Sequence, residues 1–244
     1  MAVMTKKKFI TIYEALKEEI LDGSLSYGDQ IPSENDLVQT YQASRETVRK
    51  ALHLLVNDGM IQKIRGKGSI VIYQQLTEFP FADLMSFNEV KNERALKHAT
   101  KVLKLELIPA IDVPMVKDKL GLALGAKLWH IVRVRTVNGQ VKILDEDYLV
   151  ETMVPKITLD IAQQSLYRYI EEVLGLEISY ANKSITFEAF GEQEKRVFGP
   201  VEPPYTATVR GVVHLKNTER FQYTVSKHIA TEFRFNDFSR RRKL

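Results

Sequence analysis

Apolar positions recur with a helical period near the start of the chain, and from about residue 100 to 238 they gather in β-branched and aromatic runs. Ile12, Leu16 and Ile20 predict a first helix, entered through the capping box Thr11-Ile12-Tyr13-Glu14 and closed by Gly23. Ser33, ahead of Glu34-Asn35-Asp36, predicts the N-cap of a second helix with Leu37 and Tyr41 on its apolar side. A third runs from Ser44 to about Asp58. Val48, Ala51, Leu52 and Leu55 form one stripe on it, and Arg45, Glu46, Arg49, Lys50, His53 and Asn57 fill the other faces. Two short strands, 60–64 and 69–73, flank Arg65-Gly66-Lys67-Gly68, a basic hairpin tip.

Further along, strands are predicted over 101–107, 127–137, 140–150, 178–189, 205–216 and 220–229. Asn138-Gly139 is a hairpin turn, and helices fall near 115–124, 158–173 and 192–198. Consecutive strands favour an antiparallel α+β fold over a parallel βαβ sheet. The expected division is a winged helix-turn-helix domain over 1–73, a linker over 74–94 and a second domain over 95–244.

The 244 residues include no cysteine, which excludes disulfides, thiolate metal sites and cysteine nucleophiles. No apolar run approaches the ~18 residues of a membrane-spanning helix. Phe9-Ile10-Thr11-Ile12-Tyr13 is too short and polar for a signal-peptide core, so the cytoplasm is the expected location, with no membrane partner. The net charge of +4 is matched by the tail Arg240-Arg241-Arg242-Lys243 alone, so the placement of charge decides more than its sum. Residues 44–68 hold six Lys or Arg against two acids, whereas residues 9–43 hold one Lys against seven.

Three helices closed by a basic hairpin make a winged helix-turn-helix, whose third helix fits the major groove of duplex DNA. Arg45, Thr47, Arg49 and Lys50 supply donors there, and Ser33 sits where a helix N-terminus can meet a phosphate. Gly66 and Gly68 let the wing backbone approach the sugar–phosphate surface beside Arg65 and Lys67. The competing reading is a solvated charged face.

In the second domain Arg133 and Arg135 share one strand face, and Asp145 and Asp147 share a face of the next strand. The arginines could grip a phosphate, or the four residues could form ordinary cross-strand ion pairs. Trp129 lies on the arginine side, as core or as site. The five histidines show no metal-ligand spacing, Gly66-Lys67-Gly68 is no phosphate loop, and no Gly-x-Ser-x-Gly elbow occurs. Neither a metal nor another cofactor is expected.

Ile31-Pro32-Ser33-Glu34, Ser44-Arg45-Glu46-Thr47-Val48-Arg49-Lys50-Ala51-Leu52 and Arg65-Gly66-Lys67-Gly68-Ser69 resemble the DNA-binding domain of the GntR family of bacterial transcription regulators. The remainder resembles the effector domain of its HutC subfamily, similar in fold to chorismate lyase. Met85-Ser86-Phe87-Asn88-Glu89, Val132–Arg135, Leu144–Leu149, Ser165–Ile170 and the closing Phe221-Gln222-Tyr223-Thr224 carry that resemblance. It implies a homodimeric, non-enzymatic repressor that binds double-stranded operator DNA, with Glu34 and Ser44 joining the DNA-binding residues. It also implies that Ser86, Phe87, Arg133, Arg135, Ser165 and Tyr167 surround an effector phosphate, and that Asp145, Tyr223 and His228 meet its sugar. Ile143-Leu144-Asp145 and Ile178–Lys183 look most like regulators of trehalose operons, which implies a phosphosugar effector, trehalose 6-phosphate. Val225 departs from the pattern, since relatives often carry Glu there. A regulator of a carboxylated metabolite and a chorismate-lyase-type enzyme are the alternatives.

Overall fold

The computed structural model describes residues 7–74 and 98–235, which fall into two units. The expected linker from 75 onward, with Ser86 and Phe87, and the basic tail lie outside the described residues.

The first unit packs α1 (Lys8–Leu21), α2 (Glu34–Thr40) and α3 (Arg45–Asn57) against the hairpin β1 (Ile61–Ile64) and β2 (Gly68–Val71). Helix α1 begins at Lys8, a turn before the Thr11 capping box, and has no side-chain cap. Phe9 packs on the core and carries the helix back past that signal, so tertiary packing overrides the local cap. The other two caps form as the sequence predicts. Ser33 and Asp36 make a reciprocal capping box on α2, and the Ser44 hydroxyl accepts from the Thr47 amide on α3. All four stripe residues of α3 are buried and join Ile12, Leu16, Leu37 and Ile61 in one core. That side of α3 is thereby fixed inward, and its charged side is left outside. Gly66 and Gly68 both turn the wing with positive φ, at 80° and 83°.

The second unit is a six-stranded antiparallel sheet of β3 (His98–Pro109), β4 (Lys127–Val137), β5 (Gln140–Val150), β6 (Ile178–Ala189), β7 (Tyr205–Leu215) and β8 (Arg220–Ile229). The strands lie in the order β3-β4-β5-β8-β7-β6. Across the middle, Arg133 stands opposite Asp145, Asp145 opposite Ser226, and Ser226 opposite Val209. One face carries Ile131, Leu149 and Val213 and is covered by α5 (Leu159–Gln163), α6 (Leu166–Arg168) and a π-turn (Tyr169–Val173). The single helix expected over 158–173 is broken at Gln164, and Ser165 caps the piece that follows. The opposite face carries Leu128, Tyr148, Val150 and Tyr223 under α4 (Pro114–Leu120), and Val132, Val134 and Leu144 under α7 (Glu192–Phe198). Trp129 packs in the first of these layers and donates its indole N–H to the Val154 carbonyl at 2.9 Å, which makes it core rather than site. No helix among the described residues is long and apolar enough to cross a membrane.

Candidate functional site

The exposed side of the first unit divides its cations into two sets. Arg45, Arg65 and Lys67 are exposed and have no ion-pair partner among the described residues. Arg49 and Lys50 are held instead. Lys50 pairs with Glu46 one turn back at 2.9 Å. The Nε of Arg49 donates to Glu34 Oε2 at 2.9 Å, and Lys63 of the wing reaches Glu34 Oε1 at 3.2 Å. Glu34 therefore spends both carboxylate oxygens inside the unit. The Arg49 hydrogen bond is the main cause that holds its carboxyl below the ordinary range, against its partial burial and with Lys63 adding to it. Ser33 bonds Asp36, and Ser44 bonds Thr47 at 2.8 Å, so these hydroxyls serve as caps first. At the wing tip Gly66 lies between the free cations Arg65 and Lys67, and Gly68 follows.

Because Lys67 is exposed and unpaired among the described residues, it suits a phosphate. Lys67→Ala is expected to lower DNA affinity evenly across sequences and to reduce the log–log salt slope by about 1. Fluorescence anisotropy at a series of salt concentrations reads this directly, and an unchanged slope would remove the wing from the interface.

In the second unit the arginine face is a buried polar layer between the sheet and α5–α6. Arg133, Arg135, Asp145 and Asp147 are all buried. Arg133 Nη2 donates to Asp147 Oδ2 at 2.6 Å and Nη1 to the Ala162 carbonyl at 3.3 Å. Arg135 Nε donates to Asp145. The register explains the diagonal pairing: each aspartate sits one strand over, close to the guanidinium of an arginine two residues along. Ion pairing, the blander of the two readings, is thus what the strands build, but in the interior rather than at the surface. Burial works to raise the Asp145 pKa. The Arg135 and Arg133 charges and a Ser226 hydrogen bond outweigh it and hold that carboxyl below its ordinary value.

Three neighbours extend this layer. Gln222 donates its amide to Asp147 Oδ1 at 2.7 Å. Ser226 donates its hydroxyl to Asp145 Oδ1 at 2.6 Å and meets His228 Nε2 at 2.9 Å. With its proton committed to Asp145, the hydroxyl accepts from His228, which fixes the imidazole with its proton on Nε2. Arg133 Nε and Gln222 Oε1, a donor and an acceptor, are buried without a hydrogen-bond partner among the described residues. Orphaned polar atoms of both kinds on one buried face are what a ligand hydroxyl or phosphate oxygen would satisfy. Gln222 and Ser226 were not anticipated from the sequence, although their even spacing with His228 on one strand was a usable signal.

Ser165 and Tyr167 sit at the covering helices: Ser165 is buried and caps α6, and Tyr167 packs half-buried on the same layer. Tyr223 does not join them. It is an odd position on β8, where Gln222, Ser226 and His228 are even, and the pairing is unbroken between them. Its ring lies on the other face of the sheet, 6.4 Å from that of Tyr148. Tyr223 and His228 cannot close on one sugar.

Known proteins match both units. Residues 10–71 match the bacterial regulatory proteins of the gntR family, and residues 93–234 match the UTRA domain. The HTH-type transcriptional regulator TreR of Bacillus subtilis is 40% identical over 240 residues, 98% of this chain and 100% of its own length. The chain belongs to the GntR family. The mannosyl-D-glycerate transport/metabolism system repressor MngR of Escherichia coli is 27% identical over 97% of this chain and 98% of its own length. The solved effector binding domain of the B. subtilis trehalose repressor (TreR) is 37% identical, with a TM-score of 0.53, covering 59% of this chain and 99% of that domain. YydK of B. subtilis shares the fold with a TM-score of 0.81 at 23% identity, over 96% of this chain and 99% of its own. As a GntR-family member of the HutC type, with an effector-binding UTRA domain, the protein is a DNA-binding transcription regulator.

Proposed function

We propose that the protein represses a sugar-utilisation operon, of the trehalose type, and leaves its operator when trehalose 6-phosphate binds the second unit. The observation that carries this reading is the buried arginine pair, set beside orphaned atoms of Arg133 and Gln222 in a layer rich in hydroxyl-recognising groups. Guanidinium groups suit a phosphate, and Asp145, Gln222, Ser226 and His228 suit a sugar. The relationship to TreR, whose solved domain is described as that of a trehalose repressor, supports the same choice. The regulator works in the cytoplasm as a homodimer, since one winged domain reads only a half-site and two-fold symmetry matches a near-palindrome. It acts by binding and not by catalysis. Effector binding shifts the dimer toward a state in which the two recognition helices no longer fit the half-sites.

Calorimetric titration with trehalose 6-phosphate, trehalose and glucose 6-phosphate tests the effector. Tight binding of the first alone is expected, and equal binding of trehalose would refute the phosphate reading. A second reading has a specific observation behind it. Two arginines against two aspartates leave the layer without net charge, so a carboxylated sugar, with one negative charge, is easier to admit than a phosphate dianion. Displacement of operator DNA by a sugar acid, and not by any phosphosugar, would favour it.

A further inference from the structure

We propose that Glu34 is a positioning residue for base recognition: by holding Nε of Arg49, it aims that arginine's two terminal nitrogens at a guanine in the major groove. This rests on the reading that α3 enters the groove.

Three elements converge on this carboxylate. Glu34 opens α2, Arg49 projects from the middle of α3, and Lys63 comes from β1 of the wing. The Arg49 bond, at 2.9 Å, is the shorter of the two; Lys63 takes the other oxygen, at 3.2 Å. Arg49 is open to solvent over 62% of its side chain, and its contact with Glu34 uses Nε alone. Nη1 and Nη2 have no partner among the described residues. They form a planar fork pointing away from the anchored Nε. Guanine offers two acceptors, O6 and N7, on its major-groove edge, which match such a fork; adenine offers one acceptor and one donor, which does not. An arginine already fixed in place loses less rotamer freedom on binding than a loose one.

Charge alone argues against a carboxylate on this face. It stands among cations that would otherwise all attract phosphates, so removing it should strengthen binding to any duplex. A positioning role makes a different forecast: discrimination between sequences should fall even where overall attraction rises. The two forecasts separate in one experiment.

The full-length wild type selects a high-affinity duplex from a random pool. Binding of Glu34→Gln, Glu34→Asp, Lys63→Met and Arg49→Ala is then measured on that duplex, on versions with each G·C pair changed to A·T, and on an unrelated duplex. Thermal melting confirms that each variant is folded. Glu34→Gln is expected to bind the unrelated duplex at least as well as wild type, yet to lose about tenfold in discrimination at one guanine, the same one lost in Arg49→Ala. Glu34→Asp keeps the charge but falls short of Arg49, and it should lose the same discrimination without gaining general affinity. It carries the test if the glutamine variant does not fold. Lys63→Met should leave that guanine's discrimination intact. Intact discrimination in both Glu34 variants, beside its loss in Arg49→Ala, would overturn the positioning role alone. No loss in Arg49→Ala would overturn the placement of α3 in the groove, and the proposal with it.

Discussion

Replacing Arg133 with alanine is expected to cost the second unit about 3–5 kcal/mol of stability and to lower affinity for a phosphosugar by about tenfold or more. The stability loss comes from what remains. Asp147 would stay buried beside Gln222 with its cation gone, and an uncompensated interior charge is far more damaging than a missing pair. The affinity loss comes from the missing guanidinium, whose Nε is the orphaned donor of the layer. The two effects can be separated. In Arg133→Met with Asp147→Asn no charge is stranded, and the asparagine can still accept from Gln222. Urea unfolding should return most of the lost stability to this double variant, while titration calorimetry should still show the effector affinity missing. Operator binding should persist in it without response to effector, the behaviour of a super-repressor. A single variant as stable as wild type would show that the pair is not desolvated as described. Full effector affinity in the double variant would eliminate Arg133 as a phosphate ligand.

The second large effect is on pH. Burial pushes the His228 imidazole down to about 4; Asp145 opposes this and Arg135 adds to it. In the unfolded chain the ring titrates near 6.5. The folded state therefore holds it neutral where the unfolded state would protonate it. The stability tied to His228 is complete above about pH 6.5 and is lost as pH falls toward 4, by about 3 kcal/mol in all. About 2 kcal/mol of this is lost by pH 5, before carboxylates of ordinary pKa titrate. His130 moves in the other direction: burial lowers its pKa, but the hydrogen bonds it donates to Glu146 and Glu106 outweigh this and raise it, so its contribution changes only above about 6.5. Denaturant unfolding at pH 7 and pH 5 should show the slope in wild type and a much flatter one in His228→Gln. An equal slope in both would place the titrating group elsewhere.

Much of this architecture was legible from periodicity. All six strands of the sheet stand where the β-branched and aromatic runs predict them; the middle strands are buried on both faces, and the edge strand β6 is largely exposed. The caps at Ser33 and Ser44 were legible because they are local. Thr11 misled because Phe9 finds a place in the core that no local rule reveals. At the sites, the sequence placed Arg133 and Arg135 together but could not say which carboxylates they meet, since that depends on strand register. Parity alone separated Tyr223 from His228, and the family resemblance had grouped them. The bridge through Glu34 joins residues 34, 49 and 63, a convergence of three elements with no signature along the chain.

The position of β8 bears on how the protein is made. The last strand in the chain is inserted between β5 and β7, and it is what joins the β3-β4-β5 meander to the β6-β7 hairpin. During synthesis the first unit is complete as soon as β2 emerges, and its contacts are short-range, so it can fold early. The sheet has to wait for Arg220–Ile229. His228, Ser226 and Gln222 arrive on that same segment, so assembly of the sheet and assembly of the polar layer are one event. A message truncated before codon 220 would encode an intact winged domain without a receptor for any inducer.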